Sequence, residues 1–217
     1  MSELLTLEAL DTDGAIRESV FQTANDTRAT FLRKGLIGGG SLVAGGALLG
    51  LPQAFGAPSV ANDVAILNYA LTLEYLEAAF YNEAVARGAL SGATLAFARV
   101  VKDHENAHVA FLKKALGSKA VKKPKFDFKG TTTDQTKFQA TAYVLENTGV
   151  AAYSGQATLI KQAAVVKAAV SILTVEARHA GWIGAIIGKA PAPRKFDRAQ
   201  SKSQILAAVK GTGFITG

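Results

Sequence analysis

Apolar side chains recur at helical spacing along most of the chain beyond residue 60. One such run covers residues 62–87 and stops at Gly88, and a second covers residues 91–116, with Ser91 as a favourable N-cap. Only a few residues separate the two runs. The pattern therefore predicts two helices that pack antiparallel.

The next stretch, residues 118–133, interrupts the helical pattern. It contains a proline, a glycine and three consecutive threonines, which favour an irregular connection over a helix. Helical spacing resumes at Thr133 or Asp134, both plausible N-caps, and a fourth run covers residues 163–187. The sequence thus predicts an all-α fold, a four-helix bundle with one long crossover between helices two and three.

Two glycines, Gly149 and Gly155, lie inside the third predicted helix. Each weakens the helix by roughly 1 kcal/mol relative to alanine. Close packing or a local distortion is therefore expected at both positions.

The bundle accounts for residues 58–190, and a tail of residues 191–217 follows it. The tail includes a short amphipathic segment around Ile205, Leu206 and Val209. Because such a segment has an apolar face to bury, we expect the tail to dock on the bundle.

The first 57 residues differ in composition from the rest of the chain. Residues 35–57 carry no charged side chain, contain eight glycines and follow a basic pair. A basic flank before an uncharged run with small residues near its end is typical of an export signal. We therefore assign residues 1–57 to a leader and export signal, with cleavage near Gly56 or Ala61.

Residues 27–33 resemble the twin-arginine export motif in degenerate form, because Ala29 stands in place of the second arginine. The expected location is the periplasm, the cell envelope or the extracellular space. Two alternatives stay open. One is an uncleaved signal that anchors the protein in a membrane, since the uncharged run exceeds the roughly 18 residues that a spanning helix needs. The other is a flexible glycine-rich arm.

Composition narrows the chemistry that the chain can perform. Its 217 residues include no cysteine, which excludes disulfides, thiolate zinc sites, iron–sulfur clusters and cysteine nucleophiles. Carboxylate and imidazole remain as metal ligands. Only three histidines are present, namely His104, His108 and His179.

The most specific feature of the sequence is a set of ligand side chains that occurs twice, at a spacing of 71 or 72 residues. Each copy is a lone glutamate followed by Glu-x-x-His, and the six members are Glu74, Glu105, His108, Glu146, Glu176 and His179. Residues three apart share one helix face, so each Glu-x-x-His can offer an oxygen and a nitrogen to one metal ion. Two helices with one Glu and two with Glu-x-x-His form a dinuclear carboxylate site in a four-helix bundle. The lone glutamates are expected to bridge the two ions or to complete their coordination.

Four buried carboxylates would repel one another unless cations neutralised them. Oxygen and imidazole ligands suit iron or manganese, and zinc is possible by ligand type. We predict two iron ions, with manganese as the alternative, and no catalytic residue beyond the metal ligands.

Three further residues are candidates for supporting the ligands. Tyr81 and Tyr153 each follow a lone glutamate by seven residues, two helical turns along the same face, and each can hydrogen-bond a ligand carboxylate. Their alternative role is that of ordinary core aromatics. Glu77, three residues after Glu74, can replace or supplement it as a ligand, although its counterpart in the second copy is Gly149.

Segments 71–77 (LTLEYLE), 103–105 (DHE) and 175–180 (VEARHA) resemble those of exported ferritin-like domain proteins, and the resemblance to the ferritin-like superfamily covers roughly residues 61–188. It implies a four-helix bundle with a di-iron or di-manganese centre. Activities across that superfamily range from ferroxidase and iron storage to peroxidase, catalase and oxygenase.

The leading functional hypothesis is an extracytoplasmic di-iron protein that oxidises Fe(II) with oxygen or hydrogen peroxide and limits oxidative damage. Iron storage is disfavoured because few carboxylates remain beyond the ligands. Rubrerythrin-like electron transfer is disfavoured because its cysteine-ligated iron cannot exist here. A manganese catalase stays open, and the sequence predicts no oligomeric state.

The alternative is a non-enzymatic, stress- or desiccation-related envelope protein that uses the bundle as a binding module. Its basis is a cluster of lysines before and within the crossover: Lys113, Lys114, Lys119, Lys122, Lys123, Lys125 and Lys129. Such a cluster can contact an anionic polymer or membrane surface, although a solvated basic loop is the simpler interpretation. Nucleic-acid binding is not expected, because few aromatic residues interleave with these lysines.

Overall fold

A computed structural model describes residues 59–216 of the chain. Within that range it contains no β-strand and five α-helices: α1 Val60–Arg87, α2 Gly92–Leu116, α3 Gln135–Ala157, α4 Ala163–Ile186 and α5 Lys202–Thr212. A single 3₁₀ turn, Gly117–Lys119, follows α2. The predicted all-α fold is confirmed. The predicted leader, residues 1–57, lies outside the described residues.

Hydrogen bonds between helix ends establish the topology. The Ser91 amide, just before α2, donates to Gln135 Oε1 at 2.8 Å, and Gln139 of α3 donates to Thr94 of α2 at 2.7 Å. Helices α2 and α3 therefore begin at the same end of the bundle and run parallel. The chain between them has to return along the full length of the bundle, which is the long crossover that the sequence predicts.

Local signals in the sequence explain where the helices begin and end. Ser59 caps α1 through the Asn62 amide at 3.1 Å, and Asp134 caps α3 through the Lys137 amide at 2.8 Å. Gly88 ends α1 in the left-handed conformation, with φ of 71°. Ser91 precedes α2 as expected, but its side chain makes no capping bond to that helix.

The two residues just before α4 are held by a side chain from a distant part of the sequence. The carboxylate of Asp63, in the first turn of α1, accepts hydrogen bonds from the Lys161 amide at 2.8 Å and the Gln162 amide at 2.9 Å. Burial alone would raise the pKa of Asp63, but these bonds lower it below its ordinary value. The start of α1 is thereby tied to the start of α4.

The segment between α4 and α5 crosses the outside of α3 at Gly155. The Gln200 amide donates to the carbonyl of Ala151 at 3.1 Å, and a Cβ at position 155 would overlap the backbone carbonyl of Gln200. A glycine is therefore required here by close backbone approach, which accounts for its presence in the middle of a helix.

The tail packs against the crossover as well as the bundle. Ile205 and Val209 of α5 lie in the main core, whereas Leu206 is 41% exposed. Phe214 packs edge-on against Phe128 of the crossover, and an isolated antiparallel bridge joins Phe126 to Ile215. In the described range, no helix is long and apolar enough to cross a membrane.

Candidate metal centre

Four glutamates converge in the middle of the bundle, one from each of its four helices. Glu74, Glu105, Glu146 and Glu176 have no solvent-exposed surface. Because each side chain sits on the inward face of its helix, the four carboxylates meet in a volume closed to solvent. Their convergence gives the bundle a polar centre within an otherwise apolar core.

The ligand atoms fall into two overlapping groups, which we name after their histidines. In each group the candidate ligand atoms lie within 4.8 Å of one another. The His108 position consists of Glu74, Glu105, His108 and Glu176. The His179 position consists of Glu105, Glu146, Glu176 and His179.

The overlap between the groups bears on which glutamates could bridge two metal ions. The sequence left open whether the lone glutamates Glu74 and Glu146 bridge the ions or complete their coordination, and the residues common to both groups are Glu105 and Glu176. These belong to the Glu-x-x-His motifs on the adjacent helices α2 and α4. Glu105 and Glu176 could therefore bridge two metal ions, whereas each lone glutamate could contribute to one position only.

Both imidazoles present Nδ1 to the carboxylates. His108 Nδ1 lies 3.2 Å from Glu74 Oε2, 3.3 Å from Glu105 Oε2 and 3.2 Å from Glu176 Oε1. His179 Nδ1 lies 3.2 Å from Glu105 Oε1 and 3.1 Å from Glu146 Oε2. Nδ1 is therefore the ring nitrogen that each histidine would offer to a metal ion.

The charges in this cluster compensate one another through the histidines. Burial disfavours the charged form of His108 and His179, yet the surrounding carboxylates raise the pKa of each to about 12. The imidazoles are thus held as cations among the glutamates. A metal ion would replace the Nδ1 proton of each ring, so metal binding is expected to release protons.

The carboxyl groups respond to burial and to these cations. Burial and the neighbouring Glu176 raise the pKa of Glu105 well above its ordinary value, and burial raises that of Glu146 to about 7. For Glu176, burial acts in the same direction, but the nearby rings of both histidines lower the pKa to about 2. Since Glu105 and Glu176 face the same imidazoles, their titration belongs to the pair.

Three buried carboxylate oxygens support a metal in this centre. Glu105 Oε1 and both oxygens of Glu176 have no well-directed hydrogen bond, although the histidine nitrogens lie nearby. A buried carboxylate oxygen without a partner is costly. Divalent cations coordinated by these oxygens would supply the missing partners. The donor set of carboxylates and imidazoles fits iron, manganese or zinc.

Each tyrosine supports the lone glutamate of the opposite copy of the motif. Tyr81 of α1 donates a short hydrogen bond to Glu146 of α3, and Tyr153 of α3 donates to Glu74 of α1 at 2.5 Å. Burial is the main cause that raises the pKa of both phenols well above the ordinary value, so both remain donors. The hydrogen bonds leave one oxygen of each lone glutamate directed at the metal position.

Glu77 is a fifth buried carboxylate beside the centre. It is 3% exposed, and burial together with the four neighbouring glutamates raises its pKa well above the ordinary value. A Cβ at position 149 would lie 3.5 Å from Glu77 Oε1 and 3.3 Å from Glu176 Oε2. A side chain at position 149 would therefore make a tight contact with Glu176 and an ordinary one with Glu77, which is the close packing expected for this glycine. Glu77 belongs to neither four-residue group.

His104 is a neighbour of the centre for which the sequence suggested no role. It precedes Glu105 on α2, and its Nδ1 lies 2.9 Å from Nε2 of His179 on α4. The only signal in the sequence was its position one turn before His108.

The fold and this centre define a class of helical-bundle proteins with a carboxylate-rich site that could hold metal ions. A family model for the ferritin-like domain matches residues 62–189, and the chain belongs to that family. A search of curated proteins finds no match to the chain.

Proposed function

We propose that this protein is a di-iron oxidoreductase that works outside the cytoplasm and oxidises Fe(II) with oxygen or hydrogen peroxide. The observation that carries the proposal is the pair of overlapping four-ligand groups, which share Glu105 and Glu176. Two cations placed in these groups would balance the charge of the four glutamates. A role in iron handling or protection against oxidative damage follows from that chemistry.

The residues of the chain would divide the work as follows. The His108 and His179 positions would each hold one ion, and bound iron would supply electrons and open coordination places for the oxidant. Tyr81 and Tyr153 fix the lone glutamates. The surrounding core shields the four carboxylates from solvent, so they would hold the ions in a low-dielectric environment.

Metal content and iron oxidation test the proposal together. Protein from its native host, purified without added metal, is expected to contain about two irons per chain, as in dinuclear carboxylate sites. Metal-free protein reloaded with Fe(II) should oxidise further Fe(II) when oxygen or peroxide is added. A Glu105→Ala/Glu176→Ala variant should neither bind two irons nor oxidise Fe(II). As a control, Asp103→Asn, which changes an exposed carboxylate on the helix of Glu105, should retain both properties.

The outcome also separates the alternatives. Two manganese ions and rapid oxygen release from peroxide would redirect the assignment to a manganese catalase. No bound transition metal in native or reloaded protein would contradict the di-iron proposal.

The export part of the proposal rests on the composition of residues 1–57 and is tested separately. Mass spectrometry of the N-terminus, combined with fractionation of the native host, is expected to find a chain shortened near Gly56 or Ala61 outside the cytoplasm. A full-length chain confined to the cytoplasm would contradict export. A full-length chain in the membrane fraction would favour the uncleaved anchor.

One observation favours the alternative of an envelope-binding module. All seven lysines before and within the crossover are solvent-exposed. If this surface binds anionic polymers, metal-free protein should sediment with anionic lipid vesicles at low salt and be released as salt rises. Substituting Lys122, Lys123 and Lys125 with glutamine should abolish sedimentation, while binding that survives those substitutions would exclude this surface.

A further inference from the structure

The two metal positions differ in what holds their histidines. His179 Nδ1 faces the carboxylates, while its Nε2 lies 2.9 Å from Nδ1 of His104. Within residues 59–216, His108 Nε2 has no such protein partner. The side chain of His108 is 12% exposed, compared with 3% for His179, so water is the partner that can reach it.

The contact between His104 and His179 has the geometry of a hydrogen bond between ring edges. The ring planes differ by 18°, and the ring centroids are 5.2 Å apart. That separation is the nitrogen–nitrogen distance plus about one ring radius at each end, so the rings lie edge to edge and nearly coplanar. A proton on His179 Nε2 can therefore point straight at the lone pair of His104 Nδ1.

The repeat offers no equivalent contact for the other histidine. The counterpart of His104, directly before the second Glu-x-x-His motif, is Val175, which has no polar side-chain atom. The ligands of the two halves therefore match, but only one ligand histidine receives a side-chain partner on its outer nitrogen.

We infer that His104 is a positioning residue that orients His179 and makes the His179 position the tighter of the two metal positions. By accepting the proton of His179 Nε2, it fixes the ring tautomer that leaves Nδ1 free for a metal ion. Partners of this kind typically strengthen metal binding 10- to 100-fold. The inference rests on the metal centre of the proposed function and adds the order of loading, with the His179 position filled first.

Anaerobic Co(II) titration of the metal-free protein tests the inference one position at a time. Glu74→Ala leaves only the His179 position complete, and Glu146→Ala leaves only the His108 position complete. Adding His104→Leu to the first variant should weaken Co(II) binding about 10- to 100-fold. Adding it to the second should leave the affinity unchanged.

Rescue and a matched control distinguish positioning from a general structural effect. His104→Asn keeps an acceptor near the place of Nδ1, so it should recover most of the affinity and the Co(II) absorption spectrum of the parent. Asn106→Ala removes a polar side chain from the exposed surface of the same helix and should change nothing. His104 is itself exposed, so each variant should keep the helical content and melting temperature of its parent.

The possible outcomes separate this inference from the proposed function. Equal weakening in both backgrounds, or none in the Glu74→Ala background, would overturn the role of His104. If wild-type protein takes up no Co(II), both proposals fail. If the His104 effects appear as expected but loaded protein does not oxidise Fe(II), the inference stands and the oxidase proposal fails.

Discussion

The two halves of the bundle, α1 with α2 and α3 with α4, carry the same ligand pattern in different surroundings. Each half supplies a lone glutamate, a Glu-x-x-His motif and a tyrosine that bonds the lone glutamate of the other half. Two of the differences lie directly beside the candidate ligands: Glu77 corresponds to Gly149, and His104 corresponds to Val175. The candidate ligands are thus the same in both halves while the side chains beside them differ, so the two positions are chemically unequal.

Removing shared and lone carboxylates in turn tests this arrangement with the largest expected effect. Glu105→Ala or Glu176→Ala should cost the protein both metal ions, because each carboxylate belongs to both positions. Glu74→Ala or Glu146→Ala should cost one ion only. Metal stoichiometry by mass spectrometry after reloading measures the difference.

The metal-free proteins provide the control for that experiment. After any one of the four substitutions, each histidine still has at least one other carboxylate within 3.3 Å, so none of the variants should unfold in the metal-free state. If lone and shared substitutions remove the same number of ions, the overlap of the two positions is wrong.

The two glycines of α3 separate the function of the centre from the packing around it. Gly155→Ala should destabilise the metal-free protein by about 1–3 kcal/mol, because its Cβ would overlap the backbone of Gln200 and displace the segment that crosses α3. The gain in helix propensity, roughly 1 kcal/mol, offsets only part of this. Chemical denaturation measures the loss, and metal stoichiometry should stay unchanged.

Gly149→Ala should show the opposite profile. Its Cβ would make a tight contact, at 3.3 Å, with Glu176 Oε2, the end of a flexible side chain and a candidate ligand atom, so stability should change little while metal affinity falls. Titration with Co(II) measures the affinity. A stable variant with undiminished affinity would show that this glycine does not make room for the carboxylates.

A structural feature of this protein can be predicted from the sequence when the residues that cause it lie close to it along the chain. The helix bounds follow from apolar periodicity and from caps that act within three residues, such as Asp134, which the sequence predicted, and Ser59, which it did not. The crossover follows from the interruption of that periodicity at residues 118–133. Gly155 is different, because its reason is the backbone of Gln200, a residue distant in sequence.

The centre shows the same division between local and tertiary causes. Periodicity places the six predicted ligands on inward helix faces, and the structure brings all six together; their role as ligands remains a prediction until metal is bound. Which glutamates are shared depends on how closely α2 approaches α4, and no single helix pattern contains that distance. The contact of His104 with His179 likewise joins two helices at the same crossing.

Tyr81 and Tyr153, each of which bonds the lone glutamate of the other half, allow a further test of the inequality between the two positions, with a smaller expected effect. Tyr81→Phe should weaken the His179 position, because it frees Glu146, and Tyr153→Phe should weaken the His108 position, because it frees Glu74. We expect about a tenfold loss of metal affinity in each case, which is the lower end of the range for removing a residue that hydrogen-bonds a metal ligand. Co(II) titration in the Glu74→Ala and Glu146→Ala backgrounds resolves the two. Loss at the wrong position would contradict the crossed arrangement.

Asp63 of α1 links the two halves of the bundle through its bonds to the residues just before α4. Its substitution has the smallest expected effect and a distinct dependence on pH. Asp63→Asn should lower the stability of metal-free protein by about 1 kcal/mol at neutral pH, because each carboxylate oxygen accepts one backbone amide and asparagine keeps only one, uncharged, oxygen. The pKa of Asp63 is lowered by folding, despite burial, through those amides. The folded state therefore favours the ionised carboxylate, and its contribution is complete above the unfolded pKa of about 3.9. As pH falls through the lower folded pKa, the carboxyl becomes protonated and the difference in stability between wild type and variant should vanish.

Urea denaturation of both proteins across this pH range measures the difference in stability. The titration of the glutamates and histidines of the centre is common to both proteins and cancels in that difference. A stability difference that persists unchanged in acid would show that Asp63 acts through packing and not through its charge.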